Sequence, residues 1–298
     1  MYKLDFHADD YGLSLNTSRE ILHLINHGKL DSISLMSNMD CYEEALKLWR
    51  EELIPGKKPD CSVHLNFMEG RCCADKSRLD LLVDQRGLFR ISWGSLVKYH
   101  YHPRLRKQAK AQLKLEIEAQ IEKVVSDYSL LSNGGLRVDS HQHTHMIPLV
   151  WEALTEVLRE KEYPIEYIRI AREDILPYLQ ATDLYRTYLP INIIKVLVLN
   201  WYSRKAQRRL RRLKLPSMFL CGVVFSGKMD AQRVRRLLPG LIQRAKKRQL
   251  PLEVLFHPGT LLQEEMGEEF NHPGANSFYL SGNRSLEHQS AMELEKPL

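Results

Sequence analysis

The 298-residue chain has no apolar run long enough to cross a membrane as a helix. The longest apolar stretch, 191–202, is interrupted by Asn192, Lys195 and Asn200. The N-terminal residues lack the apolar core and small-residue cleavage site of a secretory signal, so none is expected. Cysteine is scarce and unpatterned: five residues, an odd number, with no C-x-x-C spacing. That argues against a disulfide framework or a zinc ribbon and reads as reduced thiols in a cytoplasmic protein. The adjacent Cys72 and Cys73 have no second cysteine pair or neighbouring histidine to join them in a metal or redox site. Charge is only mildly biased, with 43 basic against 37 acidic residues. Seven of the basic residues fall within 204–214, so the excess does not by itself imply nucleic acid, and no nucleic-acid motif accompanies it. Gly/Ser-rich linkers, internal repeats and an obvious domain boundary are also missing, which leaves one domain over 1–298 as the expectation.

Short apolar or β-branched runs alternate with longer helical patterns. Strands are expected at 2–7, 32–36, 61–65, 136–140, 167–170, 218–221 and 252–256. Helices are expected at 16–27, ended by Gly28, and at 108–128, 150–159 and 231–247. The 108–128 segment spaces Leu113, Ile117, Ile121, Val124 and Tyr128 by three and four. Strand–helix alternation argues for parallel strands joined by crossover helices. About seven such units suggest an α/β fold, an irregular (β/α)-barrel with about seven parallel strands. Residues 66–107 are long and poor in pattern, and read as an insertion over the mouth of a site; 184–216 reads as a second insertion.

Four motifs sit at or near the C-terminal ends of expected strands, where barrels of this kind build active sites. His7-Ala8-Asp9-Asp10-Tyr11-Gly12 puts two carboxylates together. It reads equally as a polar turn or as a metal ligand beside a base. His64 lies within the third expected strand, and a lone histidine in a strand is ordinarily a satisfied core or surface residue. Asp139-Ser140-His141-Gln142-His143-Thr144-His145 is the strongest signal. Extended backbone would place Asp139, His141, His143 and His145 on one side, where imidazoles bind a divalent metal and a carboxylate orients them. His257, before Pro258 and Gly259, is well placed for acid–base work, or is a plain loop residue.

Together these motifs resemble the YdjC-like carbohydrate deacetylases, which include chitooligosaccharide deacetylases and hopanoid-associated HpnK-type proteins. The resemblance runs from Asp9 to about Glu293. It takes in Asn16, Asn66 with Glu69 and Gly70, Pro148, Phe278-Tyr279-Leu280-Ser281, Arg284 and Glu287. It implies a barrel related to polysaccharide deacetylases, with one divalent metal held by Asp10, His64 and His141. It also implies Asp9 as catalytic base, Mg²⁺ as the usual metal, and a homodimer. The chain departs from the pattern at Ala171, where a proline is common between Arg169 and Arg172.

Amide hydrolysis needs an activated water, a stabilised oxyanion and a proton for the leaving amine. Two imidazoles and a carboxylate leave coordination positions open for water and a carbonyl. That ligand set suits Zn²⁺ and similar ions better than Mg²⁺, which prefers oxygen. His257 is the expected acid, and Arg169 is expected to orient Asp9 or bind substrate. The expected reaction is removal of acetyl groups from N-acetylated sugars, such as an N-acetylglucosamine-containing oligosaccharide or glycolipid. The alternatives are metal-assisted phosphoester hydrolysis and a non-catalytic, metal-dependent sugar-binding protein. The basic stretch, with the apolar residues before it, reads as a solvated helix face or as a peripheral contact of 191–214 with an anionic membrane or glycolipid.

Overall fold

The computed structural model describes residues 3–126, 135–270 and 273–296, with the side chains of 273–275 excepted. In chain order the elements are β1 (Leu4–Tyr11), α1 (Leu15–Asn26), β2 (Ser32–Leu35), α2 (Tyr42–Glu52), β3 (Asp60–Leu65), α3 (Trp93–Tyr101), α4 (Leu105–Val125) and β4 (Leu136–Ser140). They continue with α5 (Pro148–Glu160), β5 (Ile165–Ile168), α6 (Leu176–Gln180), α7 (Pro190–Arg212), β6 (Phe219–Cys221), α8 (Ala231–Lys247), β7 (Leu252–Phe256), α9 (Pro273–Tyr279) and α10 (Asn283–Glu293). The seven strands form one parallel sheet in the order β5-β4-β3-β2-β1-β7-β6, curled into a half-barrel. The edge strands β5 and β6 do not pair as a ladder. A backbone hydrogen bond from Leu220 N to Arg172 O, 2.9 Å, spans the gap just past β5.

Helix ends follow local chemistry. The Ser14 hydroxyl accepts from Thr17 N and caps α1, while Gly28 beyond it takes a positive φ of 69°. Asp230 caps α8 in the same way, and Pro148 opens α5, where its missing N–H costs nothing. The expected strands are all present; β4 and β7 have the expected bounds and the other five have shifted ends. Strand β1 runs four residues further than its apolar run, through the acidic pair. The α4 helix carries Leu113, Ile117, Ile121 and Val124 as a buried stripe; Tyr2 and Tyr128, also included in the expected elements, lie outside the described residues. Residues 66–107 hold two isolated antiparallel bridges, Arg71 with Leu88 and Val83 with Phe89, and helix α3, with Leu79, Leu82, Leu88 and Phe89 buried.

Side-chain alternation along the strands divides the molecule. Phe6, Ala8, Val254 and Phe256 join the apolar layer between sheet and helices, where Phe6 and Phe256 meet edge to face at 5.8 Å. The other face is polar. Asp5, His7, Asp9, Ser32, Ser34, Arg137, Asp139, Tyr167, Arg169 and Glu253 are all buried. They bond across the barrel as well as between neighbours: Tyr167 Oη donates to Glu253 Oε2 at 3.0 Å, and His7 lies between Ser32 and Ser34 at 2.6 and 2.7 Å. Charges so far from water are tolerated only when paired and hydrogen-bonded. This interior network is therefore the frame on which the candidate site stands.

Candidate active site

The acidic pair is delivered by a distortion of β1. Neighbouring residues of a regular strand face opposite ways, yet Asp9 and Asp10 line the same cavity. The register shifts between Ala8 and Tyr11, and Asp10 has φ 75°, a left-handed conformation that a short polar residue tolerates. Gly12 completes the turn at φ 93°; a Cβ there would lie 2.9 Å from the Met36 carbonyl oxygen.

Three side chains converge from three elements. Asp10 Oδ1 lies 3.4 Å from His64 Nε2, on β3, and 3.0 Å from His141 Nδ1, just past β4. The ligating atoms of Asp10, His64 and His141 all lie within 4.8 Å of one another, and all three residues are buried. Each imidazole is oriented from behind. His64 Nδ1 bonds to Asp139 Oδ1 at 2.6 Å, and its Nε2 is buried with no hydrogen-bond partner. Tyr279 Oη donates to Glu69 Oε2 at 2.8 Å and so accepts from His141 Nε2, also at 2.8 Å, leaving the Nδ1 lone pair toward Asp10. An orphaned buried imidazole nitrogen, a second imidazole with its lone pair aimed at the same point, and an ionised carboxylate fit a divalent cation. Arg284 Nη1 donates to the other oxygen of Asp10 at 2.9 Å, and its remaining donors hold the Gly259 and Pro258 carbonyls. Burial works to raise the Asp10 pKa, but positive charge at His141 and on Arg284 holds it well below the usual carboxylate range; a bound cation would supply that charge in place of the second imidazole proton, leaving the Nδ1 lone pair free to ligate. For His64, burial works to lower the pKa and loses to Asp9 and Asp139, which raise it to about 10. A cation binding there would displace that proton.

His7, Asp9 and Asp139 form a second tight group. Their atoms are already committed: His7 to two serines, Asp139 to His64 and Ser34, and Asp9 to Arg169. Arg169, fully buried, grips both oxygens of Asp9 at 2.9 Å, and lies 3.1 Å from Asp139 Oδ2 and 2.6 Å from Glu253 Oε1. Against the effect of burial, Arg169 and His64 hold the Asp9 carboxyl well below its ordinary range, so it is ionised. Arg172 turns away to Gln207 and the Phe219 ring, so of the two arginines Arg169 is the one that lies beside Asp9. His257, just past β7, places Nε2 3.9 Å from Asp9 Oδ2. Its backbone N–H donates to Glu287 Oε2 at 2.6 Å, with its ring Nδ1 3.5 Å from that oxygen. The cavity above these groups is about 440 Å³ and also takes in His143, Lys195 and Lys228.

The expected one-sided row of histidines does not form. After β4 the chain enters a 3₁₀ turn, with Gln142 and His143 at φ 52° and 54°. The strand period of two therefore ends at Ser140. His141 reaches Asp10, His143 faces the cavity, and His145 is held between Ser140 Oγ at 2.5 Å and the Arg169 carbonyl at 2.8 Å. Burial pushes the His145 pKa down to about 4, so it serves as a neutral structural strut. Glu69 and Glu253 had no role assigned from the motifs. The signal for Glu253 was a lone carboxylate inside the apolar run Leu252–Phe256. The five cysteines are free thiols, and burial raises those of Cys61, Cys73 and Cys221 to about 12.

Asp139→Asn keeps the shape at His64 and removes the charge that orients it. Divalent-metal affinity is expected to fall about 10- to 100-fold, read by competition with a chromogenic chelator. Unchanged affinity would show that Asp139 serves only the internal ion network.

The fold and site define an α/β half-barrel with a buried Asp–His–His centre at the carboxyl ends of its strands. The chain belongs to the YdjC-like protein family, whose model matches residues 3–295. Among curated relatives it is similar to the carbohydrate deacetylases of Clostridium beijerinckii (26% identical over 180 residues, 60% of this chain and 66% of that one) and Geobacillus stearothermophilus (28% over 172 residues, 57% and 61%). The carbohydrate deacetylase of Mus musculus is 28% identical over 169 residues, 56% of this chain and 49% of that one. These matches thus span from half to two thirds of the relatives' own lengths. A crystal structure described as a cellobiose-phosphate cleavage protein, from Enterococcus faecalis V583, shares the fold. Its TM-score is 0.58 at 16% identity, covering 97% of this chain and 95% of that one.

Proposed function

We propose that the protein is a metal-dependent carbohydrate N-deacetylase, hydrolysing the acetamide of an N-acetylglucosamine-containing oligosaccharide or glycolipid. The observation that carries this reading is the convergence of Asp10, His64 and His141 beside an ionised Asp9, in a YdjC-like chain similar to curated proteins named carbohydrate deacetylase. Asp10, His64 and His141 would hold the cation. When bound, it supplies Lewis-acid polarisation of the acetyl carbonyl and a water of lowered pKa. The nitrogen-rich donor set favours Zn²⁺ or a similar ion over the Mg²⁺ that the resemblance implied.

The chain's own groups divide the remaining work. Asp9, fixed by Arg169 Nη1, which donates to both of its oxygens, holds the attacking water and takes its proton as the C–O bond forms. His257 lies within 3.9 Å of Asp9 and delivers a proton to the departing amine. Tyr279 and Glu69 keep His141 in one tautomer, and Asp139 does the same for His64. A non-catalytic sugar-binding protein would need neither Asp9 nor His257. We also read residues 191–214 as a peripheral contact with an anionic membrane or glycolipid, supported by the exposed apolar side chains of α7. Homodimerisation remains part of the reading.

The test is acetate release from chitooligosaccharides and lipid-linked N-acetylglucosamine by protein stripped with chelator and reloaded with Zn²⁺, Co²⁺ or Mg²⁺. Release that needs the added ion and disappears in Asp10→Ala supports the proposal. Full activity in chelator, or phosphate release from phosphoesters in its place, would overturn it.

A further inference from the structure

A second polar cavity lies away from the catalytic pocket. It is about 360 Å³, and among its walls are Arg172, Asp174, Leu197, Trp201, Arg204 and Arg248. The three guanidinium groups come from three places: the segment after β5, helix α7, and the end of α8. The carboxylates nearby are already engaged. Glu173 accepts from the backbone N–H groups of Gly222, Val223 and Val224 at 2.5–2.9 Å, and Asp174 accepts from Arg244 Nε at 2.7 Å. The partners of Arg172 are neutral, the Gln207 amide and the Phe219 ring. Three cations thus share a concave site with no carboxylate assigned to them among the described residues. Burial, then Arg248 and Arg204, lower the Arg172 pKa despite Asp174, as expected where like charges crowd without a counter-ion.

The neighbouring face of α7 indicates what supplies the anion. Ile191, Ile194, Leu197 and Trp201 follow at helical spacing and are 67%, 57%, 54% and 50% exposed. The same exposed side continues as Arg204, Lys205 and Arg208. An apolar stripe that gives way to cations, with a tryptophan at the junction, is suited to the boundary between acyl chains and headgroups. A soluble phosphate would need the arginines but not the stripe.

We propose that Arg172, Arg204 and Arg248 bind the phosphate group of an anionic phospholipid while the Ile191–Trp201 side of α7 enters the bilayer surface. This rests on the reading of 191–214 as a membrane contact and makes it specific: the arginine cavity is the headgroup site. Docking in this way sets the catalytic pocket beside the lipid, because Asn192 and Lys195 of the same helix line it.

The test is co-sedimentation of the full chain with vesicles of phosphatidylcholine alone or with one third phosphatidylglycerol. The wild type is expected to prefer the anionic vesicles, with binding that weakens as salt is raised. Arg204→Gln/Arg248→Gln, two exposed positions, is expected to lower anionic-vesicle affinity about 10- to 30-fold. Leu197→Ser/Trp201→Ser is expected to abolish sedimentation. Both variants should keep wild-type turnover of a soluble chitooligosaccharide and wild-type thermal midpoints. Anionic-vesicle binding unaffected by the arginine changes would overturn the headgroup site while leaving the membrane contact standing. No vesicle binding by the wild type would overturn both, as would a dimer in sedimentation velocity that Trp201→Ser dissociates. Calorimetric binding of glycerol phosphate without vesicle binding would assign the site to a soluble phosphate and overturn the proposal.

Discussion

Asp9→Asn is expected to lower kcat by about 10²- to 10⁴-fold, the usual contribution of a positioned general base, with KM and bound metal unchanged. The substitution is isosteric and spares all three candidate ligands. It also leaves Arg169 with Asp139 and Glu253 as partners, so the interior network keeps a charge balance. Low basicity does not disqualify Asp9. Its depressed pKa keeps it ionised throughout the working range, and a cation-acidified water needs only a modest acceptor. The informative measurement is single-turnover acetate release alongside metal content. A variant that turns over normally with one metal bound would remove Asp9 from the mechanism and leave His257 as the group to test.

Arg169→Met is expected to give the largest loss of stability of any single change at the site. Three buried carboxylates, Asp9, Asp139 and Glu253, depend on this guanidinium. Removing one partner of a buried ion pair costs about 3–5 kcal/mol, because the charge left behind has no solvent. The pH dependence should also change sign. In the wild type, Asp9 and Asp139 have folded pKa values below their unfolded ones. Their contribution is therefore present above the unfolded carboxylate pKa, about 4, and is lost as pH falls through the lower folded values. Without Arg169, burial dominates and pushes both carboxyls upward. The folded variant then binds protons more readily than the unfolded chain, and its thermal midpoint should rise on acidification from pH 7 toward pH 5. An unchanged midpoint at pH 7 would mean that water or a cation already neutralises these groups.

The strand frame was legible in the sequence because apolar runs mark the strands, and a parallel barrel gathers their ends at one mouth; the candidate ligands Asp10, His64 and His141 were singled out as a set by the family resemblance, since His64 alone reads as an ordinary strand histidine. Three features were not legible. The histidine spacing suggested an extended segment, but periodicity cannot reveal that Gln142 and His143 adopt left-handed backbone, which redirects every later side chain. The support of His141 by Tyr279 and Glu69 joins residues 210 positions apart. Both lay within the motifs that carried the family resemblance, but their contact depends on how α9 packs over the barrel mouth. Glu253 is a third case. A carboxylate inside a fully buried strand contradicts the apolar pattern, and only the opposite wall of the barrel, with Arg169 and Tyr167, explains it.

The left-handed turn at Asp10 also bears on how the site could change by mutation. Glutamate and histidine are chemically competent ligands, and the chain holds both residue types in left-handed backbone elsewhere, at Glu162 and His143. What they would change at Asp10 is reach: a longer side chain moves the ligating atom from its place 3.0 Å from His141 and 3.4 Å from His64. Asparagine and glycine accept that backbone, but asparagine is a poor ligand and glycine is none. Reach and backbone together favour aspartate, so drift in metal preference would begin more readily at His64 or His141, whose backbones lie outside the left-handed region, or in the groups behind them.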